Sequence, residues 1–257
     1  MNQKKWSQHF LKDKNIAKKI VKYLTFEKYK TVVEVGPGTG MLTKELLKII
    51  SNNLFLIEID KELSFFLRNI FSISKHRIIN KDFLKWNPDE NQLKNFALIG
   101  NFPYGISTKI LLHIIKYSHY IPECIGMFQK EFVTKIMSHK GKKLYGISSV
   151  LTQTFYDIKY LFTVKKNVFY PIPKIHSSVI FLRRKENQLF SFYQKKLFFK
   201  CVKMAFNQRR KKIKNSLKSL KYILNIENDS FILNKRAEEL SFKDFIQITK
   251  KIPVKHD

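Results

Sequence analysis

Thr31-Val-Val-Glu-Val-Gly-Pro-Gly-Thr-Gly-Met41 is the stretch from which the fold can be read. Val32, Val33 and Val35 make a short β-branched run that suits a buried strand. Gly36, Gly38 and Gly40 follow at once, and Leu42, Leu46, Leu47 and Ile50 then recur at helical spacing. Strand, tight turn and helix in succession make a cradle. With no side chains in the way a ligand can approach the backbone of the turn, and the first helical turn points unpaired amide donors back at it. The expected ligand is nucleotide-like.

Outward from that turn, strand and helix patterns alternate. Leu54–Asp60 reads as a second strand ending in the carboxylates Glu58 and Asp60, Lys61–Phe71 as a helix, Arg77–Ile79 as an extended segment leaving through Lys81-Asp82-Phe83, and Ala97–Gly100 as a strand entering Asn101-Phe-Pro-Tyr104. Thr108–Lys116 reads as a helix, Glu123–Phe128 as a strand and Glu131–His139 as a helix; the extended segments Ile158–Val164 and Ser177–Leu182 close the sheet. The pattern predicts an α/β fold, an open and largely parallel sheet with helices on both faces and ligands at the carboxyl ends of its strands. Phe169-Tyr-Pro-Ile-Pro-Lys174 carries two prolines and is expected as a stiff loop at the rim of the site.

Beyond the charged break Arg183-Arg-Lys-Glu-Asn187 the strand pattern stops. Phe190, Gln194, Leu197, Phe198, Cys201 and Ala205 share one helical face, Ile213, Leu217 and Leu220 another, and Ser241-Phe-Lys-Asp244 resembles a helix start. Two domains are predicted: residues 1–186, holding the cofactor site, and a small all-helical domain over 187–257.

Lys and Arg outnumber Asp and Glu by 49 to 20, a formal charge of +29 spread along all 257 residues. Such a surplus predicts a polyanionic partner, nucleic acid before any other. Cys124 and Cys201 have no partner at ligand spacing and read as reduced thiols, with no metal site expected. The first residues lack the apolar run of a signal peptide, and no stretch of eighteen apolar residues occurs, so a soluble cytoplasmic protein is expected, monomeric by default.

The spacing Gly36-Pro-Gly38-Thr-Gly40 departs from the G-x-G-x-x-G of a dinucleotide site. Glu58, twenty-two residues after Gly36, suits the two hydroxyls of a ribose, a device that nicotinamide sites share. Asn101-Phe-Pro-Tyr104 discriminates. An exocyclic amine on a flat base is a poor nucleophile because its lone pair is delocalised. Acceptors on its two hydrogens, the Asn101 side-chain oxygen and the Pro103 carbonyl, would localise that pair, and Tyr104 would stack on the ring. With a sulfonium methyl as electrophile no general base is needed, since the proton can leave after the amine has become cationic.

Gln8-His-Phe-Leu11, VVEVGPGTGMLT, LIEID, KDF, GNFPYGIS, MFQKE, FYPIPKIHSSV, AFNQRRKKIKNSLK and RAEELS, in that order, resemble the small-subunit ribosomal RNA adenine N6-dimethyltransferases almost end to end. The resemblance implies a Rossmann-like class I methyltransferase fold and S-adenosylmethionine as cofactor. It implies transfer of two methyls to each of two adjacent adenosines in a hairpin near the 3′ end of the small-subunit (16S) RNA, on the immature small subunit. Carried over by motif, His9 and Leu11 line the cofactor, Gly36 and Gly38 cradle it, Glu58 holds its ribose, Asp82 reads its adenine amine and Asn101 sits beside the methyl. Phe169 would sandwich the target base against Tyr104. Ser7, Phe102 and Lys165-Lys-Asn167 depart from the usual pattern.

The RNA should be held by charge: Arg209, Arg210, Lys211, Lys212, Lys214 and Lys218 form one stripe, and Lys4, Lys5 and Lys12 another cluster. The rivals are the related large-subunit methyltransferases of the macrolide-resistance type, and a non-catalytic RNA-binding assembly factor on the same fold. The distal RRKKIKNSLK and RAEELS favour the small-subunit enzyme, and intact Glu58, Asp82 and Asn101 favour catalysis.

Overall fold

The computed structural model describes residues 9–186, 190–220 and 230–252. The chain forms two compact units, Met1–Val133 with Asp157–Arg184, and Thr134–Tyr156 with Lys185–Asp257.

The first unit is built on a seven-stranded sheet. In chain order its strands are β2 (Thr31–Val35), β3 (Leu54–Ile57), β4 (Ile78–Ile79), β5 (Phe96–Asn101), β6 (Glu123–Gln129), β7 (Tyr156–Val164) and β9 (Ser177–Arg184), and across the sheet they run β4-β3-β2-β5-β6-β9-β7. β2 through β6 are parallel; β9 enters antiparallel beside β6, with Ile125 opposite Phe181. The middle strands β2, β5 and β6 are buried almost throughout, as strands covered on both faces must be, and their residues are mostly apolar, with Glu34 and Glu123 the buried charged ones. Helices α1 (Lys14–Val21), α2 (Met41–Leu46), α3 (Lys61–Phe71) and α4 (Ser107–Lys116) connect or cover the strands. Asp13 and Asp60 cap α1 and α3 by accepting amide hydrogens from the first turn.

The chain leaves β2 toward β3 on one side and returns to β5 on the other. The sheet therefore changes direction between β2 and β5, and the crevice this opens lies beyond their carboxyl ends. Gly36 follows β2 and Asn101 ends β5, so the two motifs singled out in the sequence meet there.

A separate two-stranded ribbon pairs β1 (Phe10–Leu11) antiparallel with β8 (Phe169–Tyr170), setting Phe10 opposite Tyr170 and Leu11 opposite Phe169. Lys12 extends it by donating its amide to the Val168 carbonyl at 2.8 Å. Phe169–Tyr170 is thus strand, and the irregular backbone expected over 169–174 begins only at the prolines.

The second unit starts earlier than the sequence suggests. The boundary falls inside α5 (Lys130–Met137), so α6 (Ile147–Phe155) belongs with the helices after residue 185. The cause is packing: α6 and α10 (Phe242–Lys250) both lie on α7 (Phe192–Asn207), with Phe198 fully buried between Phe155 and Phe190. Ser191 and Gln194 form a capping box at the start of α7, and Ser241 and Asp244 another at α10, where the sequence predicts a helix start. Among the described residues no helix is long and apolar enough to cross a membrane.

Candidate active site

Gly36 opens the crevice. Its backbone has φ +66°, which a side chain disfavours, and a Cβ there would meet nothing within 4 Å. The residue therefore keeps open a space that its own amide borders while donating to the Ile57 carbonyl at 2.9 Å. Gly38 also has positive φ, and its bare face receives the Phe10 ring, which would lie 2.8 Å from an added Cβ. The pocket is lined on this side by Gly36, Gly38 and Phe10, and opposite by His9 and Asn101 to Tyr104.

Two buried carboxyls underlie the glycine turn. Glu58 accepts the Gly38 amide on one oxygen and the Asp60 amide on the other, each at 3.1 Å. Burial raises its pKa, and those amide bonds pull it back down. Each oxygen retains a further lone pair, but the residue is 1% exposed and, expected as the ribose clamp, is not among the residues that line the pocket. Glu34, on β2, accepts the Thr43 hydroxyl at 2.7 Å. Burial pushes its carboxyl up to about 8; the Thr43 bond opposes this and the neighbouring Glu58 adds to it.

A carboxyl that keeps its proton in the native state and releases it near 4.5 once unfolded stabilises the fold at low pH. That contribution is complete below about 4.5 and is lost as pH rises toward 8. Burial lowers the His113 imidazole from 6.5 to about 4, which adds stability as pH rises through that interval and offsets the loss there. The melting temperature should therefore fall chiefly between about pH 6.5 and pH 8, and Glu34→Gln should flatten the fall without abolishing it, because Glu58 is shifted in the same direction. An equally steep fall in the Gln variant, followed by circular dichroism across that range, would remove Glu34 as the cause.

Asn101 is oriented by the N-terminal segment. Its Nδ2 donates to the His9 carbonyl at 2.8 Å, which directs Oδ1 the other way as an acceptor. The Pro103 carbonyl, expected as the second acceptor, accepts the Ile106 amide at 3.3 Å as the backbone turns into α4, and the Ser107 hydroxyl lies 3.4 Å from it and 3.0 Å from the Tyr104 carbonyl. Phe102 donates its amide to Met127, and none of the described hydrogen bonds reaches its carbonyl. The Phe102 carbonyl, one residue earlier, is thus a backbone oxygen of a pocket-lining residue that no described hydrogen bond occupies.

Tyr104 is half-buried, its hydroxyl 2.6 Å from the Ser177 hydroxyl and its ring 5.2 Å from the His9 imidazole. Burial raises the phenol above its ordinary value, so it stays neutral near pH 7. His9 in turn donates from Nδ1 to the Pro171 carbonyl at 2.7 Å.

His9, Gly36, Gly38, Asn101, Pro103 and Tyr104 line one pocket. Leu11 and Phe169 are not at the pocket. They face each other across the ribbon with side chains in the hydrophobic core, Leu11 5% and Phe169 0% exposed. Phe169 thus cannot reach a base in this conformation, and Phe10, which the sequence reading passes over, is the aromatic against the glycine turn. Asp82 accepts the Leu84 amide at 2.9 Å, capping the short turn Phe83–Lys85, and does not line the pocket.

Of the basic stripe, Arg210, Lys211, Lys212, Lys214 and Lys218 are exposed. Arg209 is structural: it donates from Nε to Glu238 at 2.6 Å and from its terminal nitrogens to the Lys143 carbonyl. Lys4, Lys5 and the departure at Ser7 lie outside the described residues.

The crevice thus offers an open glycine cradle, a buried carboxylate beneath it and an amide oxygen beside an aromatic ring. Comparison with known proteins points the same way. The family model described as ribosomal RNA adenine dimethylase matches residues 1–253. A ribosomal RNA small subunit methyltransferase A from Cytophaga hutchinsonii is 48% identical over 248 residues, covering 94% of this chain and 93% of the relative. Its namesake from Flavobacterium johnsoniae is 48% identical over 246 residues, with 95% and 93% covered. Among solved structures, a dimethyladenosine transferase from Plasmodium falciparum superposes with a TM-score of 0.78 at 22% identity, covering 95% of this chain and 98% of that one, a likeness of fold.

Proposed function

The chain belongs to the ribosomal RNA adenine dimethylases, which use S-adenosylmethionine, and from that premise we propose that it dimethylates the N6 amines of two adjacent adenosines near the 3′ end of small-subunit ribosomal RNA. It does so in the cytoplasm, as a monomer, on the immature small subunit. The observation that carries this reading is the tethered Asn101 amide, whose Nδ2 is held by the His9 carbonyl and whose Oδ1 is left to accept.

Gly36 and Gly38 would hold the cofactor's amino-acid part against the turn, and Glu58 its ribose. When bound, S-adenosylmethionine supplies an electrophilic methyl group. The acceptor base stacks on Tyr104, whose ring is fixed by Ser177 at its hydroxyl. Asn101 Oδ1 and the Phe102 carbonyl accept the two amine hydrogens, drawing the nitrogen toward tetrahedral geometry and localising its lone pair. Both acceptors are placed before the substrate arrives, so little reorganisation is needed on binding. The high phenol pKa of Tyr104 rules it out as a base near pH 7, and none is needed, because the proton becomes acidic only after transfer. Binding of the RNA rests on the exposed cations Arg210, Lys211, Lys212 and Lys214.

The test is incubation with labelled S-adenosylmethionine and small-subunit particles lacking the modification, followed by mapping of the labelled nucleotides. Label should appear on two neighbouring adenosines of the 3′ hairpin. Label confined to large-subunit RNA, or none, would overturn the proposal.

A further inference from the structure

We infer that Tyr170, together with Ile172, is a second stacking platform for the RNA, taking an unpaired nucleotide next to the adenosine held at Tyr104. The inference rests on the RNA substrate proposed above.

Phe169 and Tyr170 are consecutive residues of β8 and point to opposite faces. Phe169 takes the inward position and is fully buried, which leaves Tyr170 outward and 54% exposed. Tyr170 lies opposite Phe10, a residue of the pocket wall, and the next carbonyl, Pro171, is the one bonded to His9. The exposed ring therefore stands one strand away from the site. Ile172, two residues on, is 61% exposed, so a large aromatic and a large aliphatic side chain, both more than half exposed, flank one proline. Scattered apolar residues on a surface need no explanation, but two side by side at the lip of an active site mark a surface that something covers.

The charge around them selects RNA over an apolar protein partner. From Ile158 to Lys185 the chain contains no Asp or Glu, while Lys165, Lys166 and Lys174 are all exposed. Lys12 places its Nζ 5.8 Å from the Tyr170 ring centroid. The nearest acid in sequence to Lys12, Asp13, is engaged in capping α1. An exposed aromatic beside a lysine, in a stretch that carries further lysines and no acid, is what an unpaired nucleotide needs, the base lying on the ring and the phosphates on the lysines.

Methyl transfer to undermodified small-subunit particles tests this. Tyr170→Ala should raise the KM for particles roughly ten-fold, the scale of one stacked base, with unchanged affinity for S-adenosylmethionine by calorimetry. Tyr170→Phe should restore the KM, and Tyr170→Leu, apolar but not aromatic, should not. Lys12→Gln should lower the slope of log affinity against log salt by about one. A KM within two-fold of the unaltered enzyme for both Ala and Leu variants would overturn the stacking role, and an unchanged salt slope the phosphate contact. Failure of the unaltered enzyme to methylate the particles would instead overturn the substrate itself, and this inference with it.

Discussion

Asn101→Ala is expected to lower the rate of methyl transfer by roughly 10²–10³-fold, the usual loss when one preorganised polar group at a reacting centre is removed. The residue does two things. On the proposed reading its Oδ1 would accept from the substrate amine, while its Nδ2 holds the His9 carbonyl, 2.8 Å away. The first acts on the reacting nitrogen as its lone pair becomes available, so its loss should appear in kcat and not in affinity for the particle. Asn101→Asp separates the roles: an oxygen still faces the pocket, but the other now opposes the His9 carbonyl, so activity should lie between that of Ala and the unaltered enzyme. Single-turnover rates with particle binding measured in parallel make the check. A rate for Asn101→Ala within ten-fold of the unaltered enzyme would remove Asn101 from the reaction.

Gly36→Val should act on the cofactor. A Cβ at Gly36 enters space that no protein atom within 4 Å occupies, so a branched side chain would fill the cradle without colliding with the fold. Overfilling a formed site costs about 1–3 kcal/mol, or roughly 5- to 150-fold in affinity for S-adenosylmethionine. The positive φ of +66° adds backbone strain of about 1–3 kcal/mol, which appears as a lower melting temperature. Gly36→Asn distinguishes the two effects, because Asn tolerates the left-handed region: the melting temperature should recover while affinity remains low. Calorimetric titration and thermal unfolding of both variants provide the readouts, and full affinity in Gly36→Val would show that the ligand does not approach this turn.

Where the sequence carries a long period or a glycine that only one backbone conformation explains, its reading and the structure agree. β2 with its turn, β5 with Asn101, the capped start of α10 and the helical character after residue 187 are of that kind. What escaped has physical causes. α6 is rich in Ser and Thr, which read as loop or strand; within the helix Thr152 and Thr154 turn their hydroxyls back onto the carbonyls of Ser148 and Val150 and so satisfy themselves locally. Two-residue strands such as β1 and β8 have no periodicity to detect, so nothing in Phe169-Tyr170 says which ring faces inward. A motif names the residues of a turn but not which carbonyls the turn bonds, so the engagement of Pro103 with Ile106 is not legible in it. The distal boundary moved because α6 packs with helices far along the chain, a fact of three-dimensional proximity that contiguous sequence does not express.

The ribbon joining Phe10–Leu11 to Phe169–Tyr170 also sets a schedule for synthesis. At about 5–20 residues per second, the glycine turn and the Asn101 loop leave the ribosome seconds before their last wall can form. Until residue 171 emerges, His9 has no Pro171 carbonyl to bond and Phe10 no strand to pair with, so the first segment is held only by its contacts to Asn101, Tyr104 and Gly38. The protein thus completes its catalytic crevice by long-range closure over some 160 residues, a high-contact-order step of the kind that folds late.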